Sequence, residues 1–189
     1  MKSLLEWVLE AGMLKRVARS GWSVLGISPA ESVADHSFRC AVIGYVLARL
    51  EKADISKVFL MTLLGDLQEA RITDLHKMAQ RYIDGTEAED SAFAEQVSGL
   101  PPSFRKELCG MHREYRQQKT KESLVARDAD ILECLIQARE YVEQGYPQAS
   151  RFTKKAPVFL KTQSAKKLWR MAKSKNTHAW WVRLSAFAR

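Results

Sequence analysis

Apolar residues recur at three- and four-residue intervals along most of this 189-residue chain, and no stretch holds the two-residue period of a strand. Leu4, Leu5, Val8, Leu9, Met13, Leu14 and Val17 form the first stripe. They predict an amphipathic helix with this stripe turned inward, ending near Ser20-Gly21. Ser28-Pro29-Ala30-Glu31 has the form of a helix start: serine as cap, proline at the first helical position, glutamate three residues after the cap. It predicts a helix from Pro29 to about Leu50. A third helix is expected from Lys57 to about Glu69 behind Asp54 or Ser56, and Thr73 or Asp74 opens a short fourth segment. Beyond the turn at Asp84-Gly85-Thr86, helices are predicted over Glu87 to Val97, Ser103 to about Gln118, and Lys121 or Glu122 to Glu143. Gly99-Leu100-Pro101-Pro102 separates the first two, and Gly145-Tyr146-Pro147 stops the third. Ser164 to Ser174 forms a last helix. The predicted class is all-α, a single compact helical fold.

Composition narrows this picture. A chain of 189 residues with 46% hydrophobic and 28% charged residues has the makeup of one ordinary globular domain. Cys40, Cys109 and Cys134 are too scattered for a disulfide framework or a thiolate metal site, which suits a reducing compartment. The apolar runs are short of the roughly 20 residues that a membrane span needs. The N-terminal stripe contains Glu6 and Glu10, unlike a signal peptide. A cytoplasmic protein without a membrane partner is expected.

The net charge of +8 is unevenly placed. Residues 1–150 carry 19 basic and 22 acidic groups, whereas residues 151–189 carry eleven Lys or Arg and no acid. The division is therefore a body over 1–150 and a basic C-terminal segment over 151–189. That segment also holds Phe159, Leu160, Leu168, Trp169, Met171, Trp180, Trp181, Leu184 and Phe187, so it is expected to pack on the body rather than stand alone. Nucleic acid is a weaker expectation for this basic surface.

The candidate chemistry lies in carboxylates set among apolar helices. Nucleophile-elbow, phosphate-loop and HExxH motifs are all absent. Asp66 and Glu69, three residues apart, follow the apolar run FLMTLLG, and Asp74 comes a turn later. Gly65 stands directly before Asp66, and a glycine deep in an apolar helix costs about 1 kcal/mol against alanine and needs a reason. Asp128 and Asp130 lie in one helix but cannot share a face. His36 follows Asp35 on a largely apolar helix. Carboxylates and imidazole together suit Mn, Co, Zn or Fe. Arg16, Arg19 and Arg39 are candidates for anion recognition.

Five segments occur in order: LKRVARSGW at Leu14 to Trp22, ESVADHSFR at Glu31 to Arg39, LGDLQEA at Leu64 to Ala70, ESLVARDADILE at Glu122 to Glu133, and VFLKTQSAKKLW at Val158 to Trp169. Together they resemble the HD-domain metal-dependent phosphohydrolases, and most closely the branch of 5'-deoxynucleotidases. The resemblance implies a helical HD-domain fold and one divalent transition metal on His36, Asp66 and Asp130. It implies Glu69 and Asp66 as catalytic residues, and a nucleotide substrate held by Arg19, Trp22 and Asp74. It also implies a homodimer. Two positions depart from the family, the smaller being Thr73 before Asp74, where the family often has glycine. The His-Asp doublet reads Gly65-Asp66, so a ligand is missing, and His76 and His112 are the remaining candidates to replace it. The activity implied is release of phosphate from (deoxy)nucleoside 5'-monophosphates. The Gly65 departure also supports an alternative: a silent relative that binds a ligand, a protein or nucleic acid.

Overall fold

The structure is a computed structural model that describes residues 1–184. Its elements are α1 (Lys2–Ala11), α2 (Ser20–Ser23), α3 (Val33–Glu51), α4 (Ile55–Leu64), α5 (Glu69–Ile72), α6 (Gly85–Ser98), α7 (Pro102–Gln117), α8 (Lys121–Glu143), α9 (Ser150–Lys155), α10 (Gln163–Ala172) and α11 (Ala179–Leu184), with short 3-10 turns between some of them. The described residues contain no strand, only an isolated bridge between Ala18 and Ser32. The fold is all-α.

Polar residues at the helix starts explain where most of these elements begin. Ser32 accepts from the Asp35 amide and Asp35 accepts from the Ser32 amide, closing a capping box at the start of α3. Thr120 and Ser123 do the same for α8. Asp54, Asp84 and Thr162 accept from the first turns of α4, α6 and α10. Each such cap is worth about 1 kcal/mol.

Three predicted boundaries move. The first helix stops at Ala11, followed by a 3-10 turn over Gly12–Lys15 and an extended strip to Arg19. The strip forms because the Val33 amide donates to the Val17 carbonyl (2.8 Å) and the Arg19 amide to the Glu31 carbonyl (2.9 Å). The same pairing holds residues 31 and 32 extended, so α3 starts at Val33 and not at Pro29, whose peptide bond with Ser28 is cis. The expected helix to Glu69 ends at Leu64, and a turn over residues 65–68 leads into α5. The first stripe is only partly inward. Leu14 and Val17 are buried, Leu4 and Trp7 pack on the core, but Leu5, Val8 and Leu9 are exposed.

The core lies where α3, α4 and α8 meet. Leu47, Val58, Met61, Val125, Leu132 and Leu135 are essentially solvent-free, each contributing about 1.5–3 kcal/mol through burial. Gly44 permits the close approach of α3 to α4: a Cβ there would stand 2.9 Å from Thr62 Cγ2. Leu160, Ala165 and Trp169 of the C-terminal segment are buried in this core. Asp128, wholly buried, accepts from the Lys161 amide (2.8 Å) and the Thr162 amide (2.6 Å), fixing that segment to α8. Phe187, one of the expected apolar anchors, lies outside the described residues.

Candidate functional site

The second turn of α3 places His36 against the middle of α8, with 1% of its surface exposed. Its Nε2 stands 3.5 Å from Asp66 Oδ2 and 3.3 Å from Asp130 Oδ1. Asp66 comes from the turn after α4 and Asp130 from α8, so three separate stretches of chain converge on one imidazole nitrogen. Asp130 is held from outside by Arg127 Nη1 (2.6 Å). Asp128 and Asp130 do face differently, but both are in use. Asp128 anchors the C-terminal segment and Asp130 meets His36.

Arg19 lies at the edge of the same cluster, its Nη1 3.5 Å from Asp66 and its Nε 4.0 Å from Asp74. Asp74 Oδ2 accepts from the Ser20 amide (2.7 Å). Glu69 opens α5 and is 8% exposed, and its Oε2 has no hydrogen-bond partner among the described residues. Trp22 borders the cluster with 2% exposure, packed edge-on against Tyr141 and tilted on Phe152, its indole N–H donating to Glu31 (2.8 Å). Arg19, Trp22, Asp66, Glu69, Asp74 and Asp130 all line one cavity of about 1190 Å³.

Electrostatics follow from this crowding. Burial and the Arg19 charge oppose a charged imidazole, yet hydrogen bonds to Asp130 and Glu133 prevail and hold His36 up at about 10. Burial, with Asp66 and Asp74 adding, pushes Glu69 up to about 10. Burial also raises Asp66, against the opposing charges of His36 and Arg19. Asp130 is lowered in spite of burial, because His36 and Arg127 stabilise its charge.

The chemistry of the donors, one imidazole nitrogen and two carboxylates, suits a divalent cation, and His36 Nε2 stands 3.5 and 3.3 Å from the two aspartates, the spacing of ligand atoms about 2.0–2.2 Å from a tetrahedral metal. Glu31, His36 and Glu133 form a second acidic cluster, with candidate ligand atoms within 4.8 Å of one another. Its groups are already engaged: Glu133 by His36 and Arg39, and Glu31 by Trp22. That leaves His36 Nε2 with Asp66 and Asp130 as the candidate donors facing the cavity that Asp66 and Asp130 line.

Glycine stands at position 65, where the resemblance implies a histidine, and the local geometry reflects it. Gly65 has ordinary helical angles, φ −58° and ψ −34°. A Cβ built on it would nevertheless lie 2.7 Å from the Met61 carbonyl oxygen. The last turn of α4 is thus tightened around a residue with no side chain. The two histidines that were candidates to replace that histidine, His76 and His112, line the same cavity but have other partners. His76 Nδ1 accepts from the Ala79 amide (3.1 Å), and His112 pairs with Asp90 (2.9 Å) and stacks on Phe93.

Two other arginines that were candidates for anion recognition from sequence do not join Arg19 at the cluster. Arg16 is exposed, and Arg39 is committed to Glu133, Gln137 and Glu140. Sequence reasoning missed Glu31, Arg127 and Glu133. Glu133, Gln137 and Glu140 recur at helical spacing within the buried face of α8, and that run of polar residues was the available signal.

Residues 11–170 match the family described as HD domain. The 5'-deoxynucleotidase HDDC2 of Dictyostelium discoideum is 32% identical over 153 residues, 76% of this chain and 80% of that protein. The Homo sapiens protein of the same name is 29% identical over 141 residues, 74% of this chain and 69% of its own. A solved structure from Pyrococcus horikoshii has a TM-score of 0.75 at 33% identity, covering 90% of this chain and 96% of that one. Another, titled a predicted metal-dependent phosphohydrolase from Magnetospirillum magnetotacticum, has a TM-score of 0.73 at 23% identity over 91% of this chain and 90% of its own, a likeness of fold alone.

Proposed function

The chain belongs to the HD-domain family, and on that premise we propose that it is a divalent-metal-dependent phosphohydrolase acting on (deoxy)nucleoside 5'-monophosphates. The observation that carries this reading is the convergence of His36 Nε2, Asp66 and Asp130 beside the free Glu69 carboxyl in one cavity with Arg19. The 5'-deoxynucleotidase name of the relatives supports the substrate class.

His36, Asp66 and Asp130 would hold the cation. When bound, it supplies positive charge at the phosphate and lowers the pKa of water. Arg19 binds phosphate oxygens through its guanidinium once a substrate draws it from Asp66 and Asp74. Glu69 sits where its unpartnered oxygen can exchange a proton with the attacking water or the leaving oxygen. The Oδ2 of Asp74 is taken by Ser20, which leaves Oδ1 to accept from a sugar hydroxyl. Trp22 forms a rigid wall, since its N–H is already satisfied by Glu31. The metal is Mn, Co, Zn or Fe on the hardness of the donors. The exposed α3 stripe of Phe38, Val42 and Tyr45 supports a homodimer, which light scattering tests. The three free cysteines support a cytoplasmic setting, and no described helix is long and apolar enough to cross a membrane.

The test is calorimetric titration of metal-stripped protein with manganese and cobalt, beside Asp66→Ala, followed by phosphate release from deoxynucleoside monophosphates. Binding that depends on Asp66, together with release, is expected. Binding unchanged in Asp66→Ala, or no release from any monophosphate by loaded protein, overturns the proposal. Gly65 favours a second reading, a fold that binds ligand without hydrolysis. In that case cation binding persists and release does not occur.

A further inference from the structure

We infer that Glu133, held by Arg39, is a positioning residue that fixes His36 with Nε2 facing Asp66 and Asp130 and thereby sets the cation affinity of the site. The inference rests on the reading of the site proposed above.

An imidazole has two unlike nitrogens, and the partner of one decides what the other can do. In His36 the Nδ1 side is closed by a short contact with Glu133 Oε2. With a cation in place of the Nε2 proton, His36 would keep its proton on Nδ1, against Glu133, and offer Nε2 as the ligand atom. The opposite tautomer would set a lone pair against the Glu133 carboxylate and an N–H toward the cation. Neither residue has room to rearrange, because His36 is 1% exposed and Glu133 is fully buried.

Glu133 is fixed in turn. Arg39 lies one turn beyond His36 on α3 and spans three residues of α8. Its Nε and Nη2 donate to Glu133 Oε1 at 3.0 and 2.8 Å. Its Nη1 donates to both oxygens of Glu140 at 2.8 and 2.7 Å, and its Nη2 also reaches Gln137 Oε1 at 2.5 Å. With Oε1 held by the fork, Oε2 is kept on Nδ1. This orientation matters more here than in a site with two histidines. Gly65 leaves His36 as the one imidazole among the three donors brought together.

A buried ion-pair ladder between α3 and α8 would also serve stability alone, so the test must separate the two roles. Metal-stripped wild type, Glu133→Gln and Asp66→Ala are titrated with manganese and cobalt, and each is melted without metal. Glu133→Gln keeps the shape and an acceptor but loses the charge. Its affinity is expected to fall about 10–100-fold, the range for losing a partner that orients a ligand, and that of Asp66→Ala further. In zinc-loaded protein the Nδ1 proton of His36 is expected far downfield, and shifted upfield in Glu133→Gln. A merely structural role lowers the melting temperature and leaves the affinity unchanged, which overturns the inference while Asp66→Ala still loses binding. Wild-type binding by Asp66→Ala instead overturns the reading of the site itself. If Glu133→Gln does not fold, Arg39→Gln carries the same test from the more accessible end of the ladder. A loss of affinity in that variant supports the inference, and wild-type affinity overturns it.

Discussion

His36 has two sides, and they are built on opposite terms. On the Nδ1 side, Glu133, Arg39, Gln137 and Glu140 form a ladder in which anion, cation and amide are matched by short hydrogen bonds. On the Nε2 side, Asp66, Asp130, Asp74 and Glu69 crowd together with Arg19 at their edge, and one Glu69 oxygen has no partner among the described residues. Removing one member of a matched buried network strands its partners, at several kcal/mol. A crowded set of like charges costs stability in the folded state, and is kept where chemistry needs it. The two faces of one imidazole thus differ in kind. The Nδ1 side ties α3 to α8, and the Nε2 side is the one on which the proposed cation would sit.

The strongest test breaks the Nε2 side. Glu69→Ala is expected to lower turnover about 10²–10⁴-fold, the usual span for a positioned acid or base. Manganese affinity should stay near that of wild type, and the metal-free melting temperature should not fall, because a buried carboxyl without a partner has been removed. Wild-type turnover in this variant would remove Glu69 from the mechanism.

The next test applies the same logic to a matched site far from chemistry. Asp128→Ala strands the amides of Lys161 and Thr162 and frees the start of α10. Each stranded buried donor costs about 1–3 kcal/mol, and a chain of this size loses about 2–4 °C of melting temperature per kcal/mol. Turnover per folded molecule should not change. A loss of turnover at a temperature where the variant is folded would mean that the C-terminal segment reaches the site.

Gly65 lies at the boundary, and two effects of opposite sign meet there. Glycine to alanine at a helical position gains about 1 kcal/mol from propensity. At Gly65 the new Cβ would stand 2.7 Å from the Met61 carbonyl, and forcing such an overlap costs about 1–3 kcal/mol. Gly65→Ala is therefore expected to lower the melting temperature slightly. Gly65→His adds an imidazole to the same clash, so it should destabilise at least as much and leave manganese affinity unimproved. A gain in affinity would mean that α4 relaxes readily and that only the side chain is missing.

The same contrast separates what could be read from the sequence from what could not. Helices α6, α7 and α8, and the caps at Asp54 and Asp84, are local events signalled by residues within a turn of each other. The start of α3 was not decided locally. Ser28 to Glu31 and Ser32 to Asp35 both have the capping-box form, and pairing of residues 17–19 with residues 31–33 selects the second. Leu14 and Val17 continue a helical stripe yet are buried from a 3-10 turn and from extended chain beyond the end of α1. In the site, His36, Asp66 and Asp130 stand out through ordered motifs. Glu133 and Arg39 do not, because their pairing exists only once α3 and α8 have packed.

The smallest expected effect comes from a matched pair at the surface. Arg71 on α5 holds Glu10 of α1 through Nε and through Nη2 (3.2 Å), and Gln96 on α6 donates to the same carboxylate (3.0 Å). The Arg71 hydrogen bond keeps the Glu10 carboxyl below its usual range, against the opposing effect of burial. A folded-state pKa below the unfolded value gives stability that is fully present above the unfolded value, about 4.3, and lost as pH falls through the folded one. Solvent screening limits such a pair to about 0.2–1 kcal/mol. Glu10→Gln should therefore melt slightly below wild type at pH 7, and the two curves should converge as the pH is taken below the carboxylate range. A difference that grew on acidification would mean that Glu10 is protonated in the folded protein and that the Arg71 contact is not an ion pair. Because α5 begins with Glu69, a loss of turnover in Glu10→Gln would further show that this outer tie helps hold the acid in place, joining a surface pair to the open side of His36.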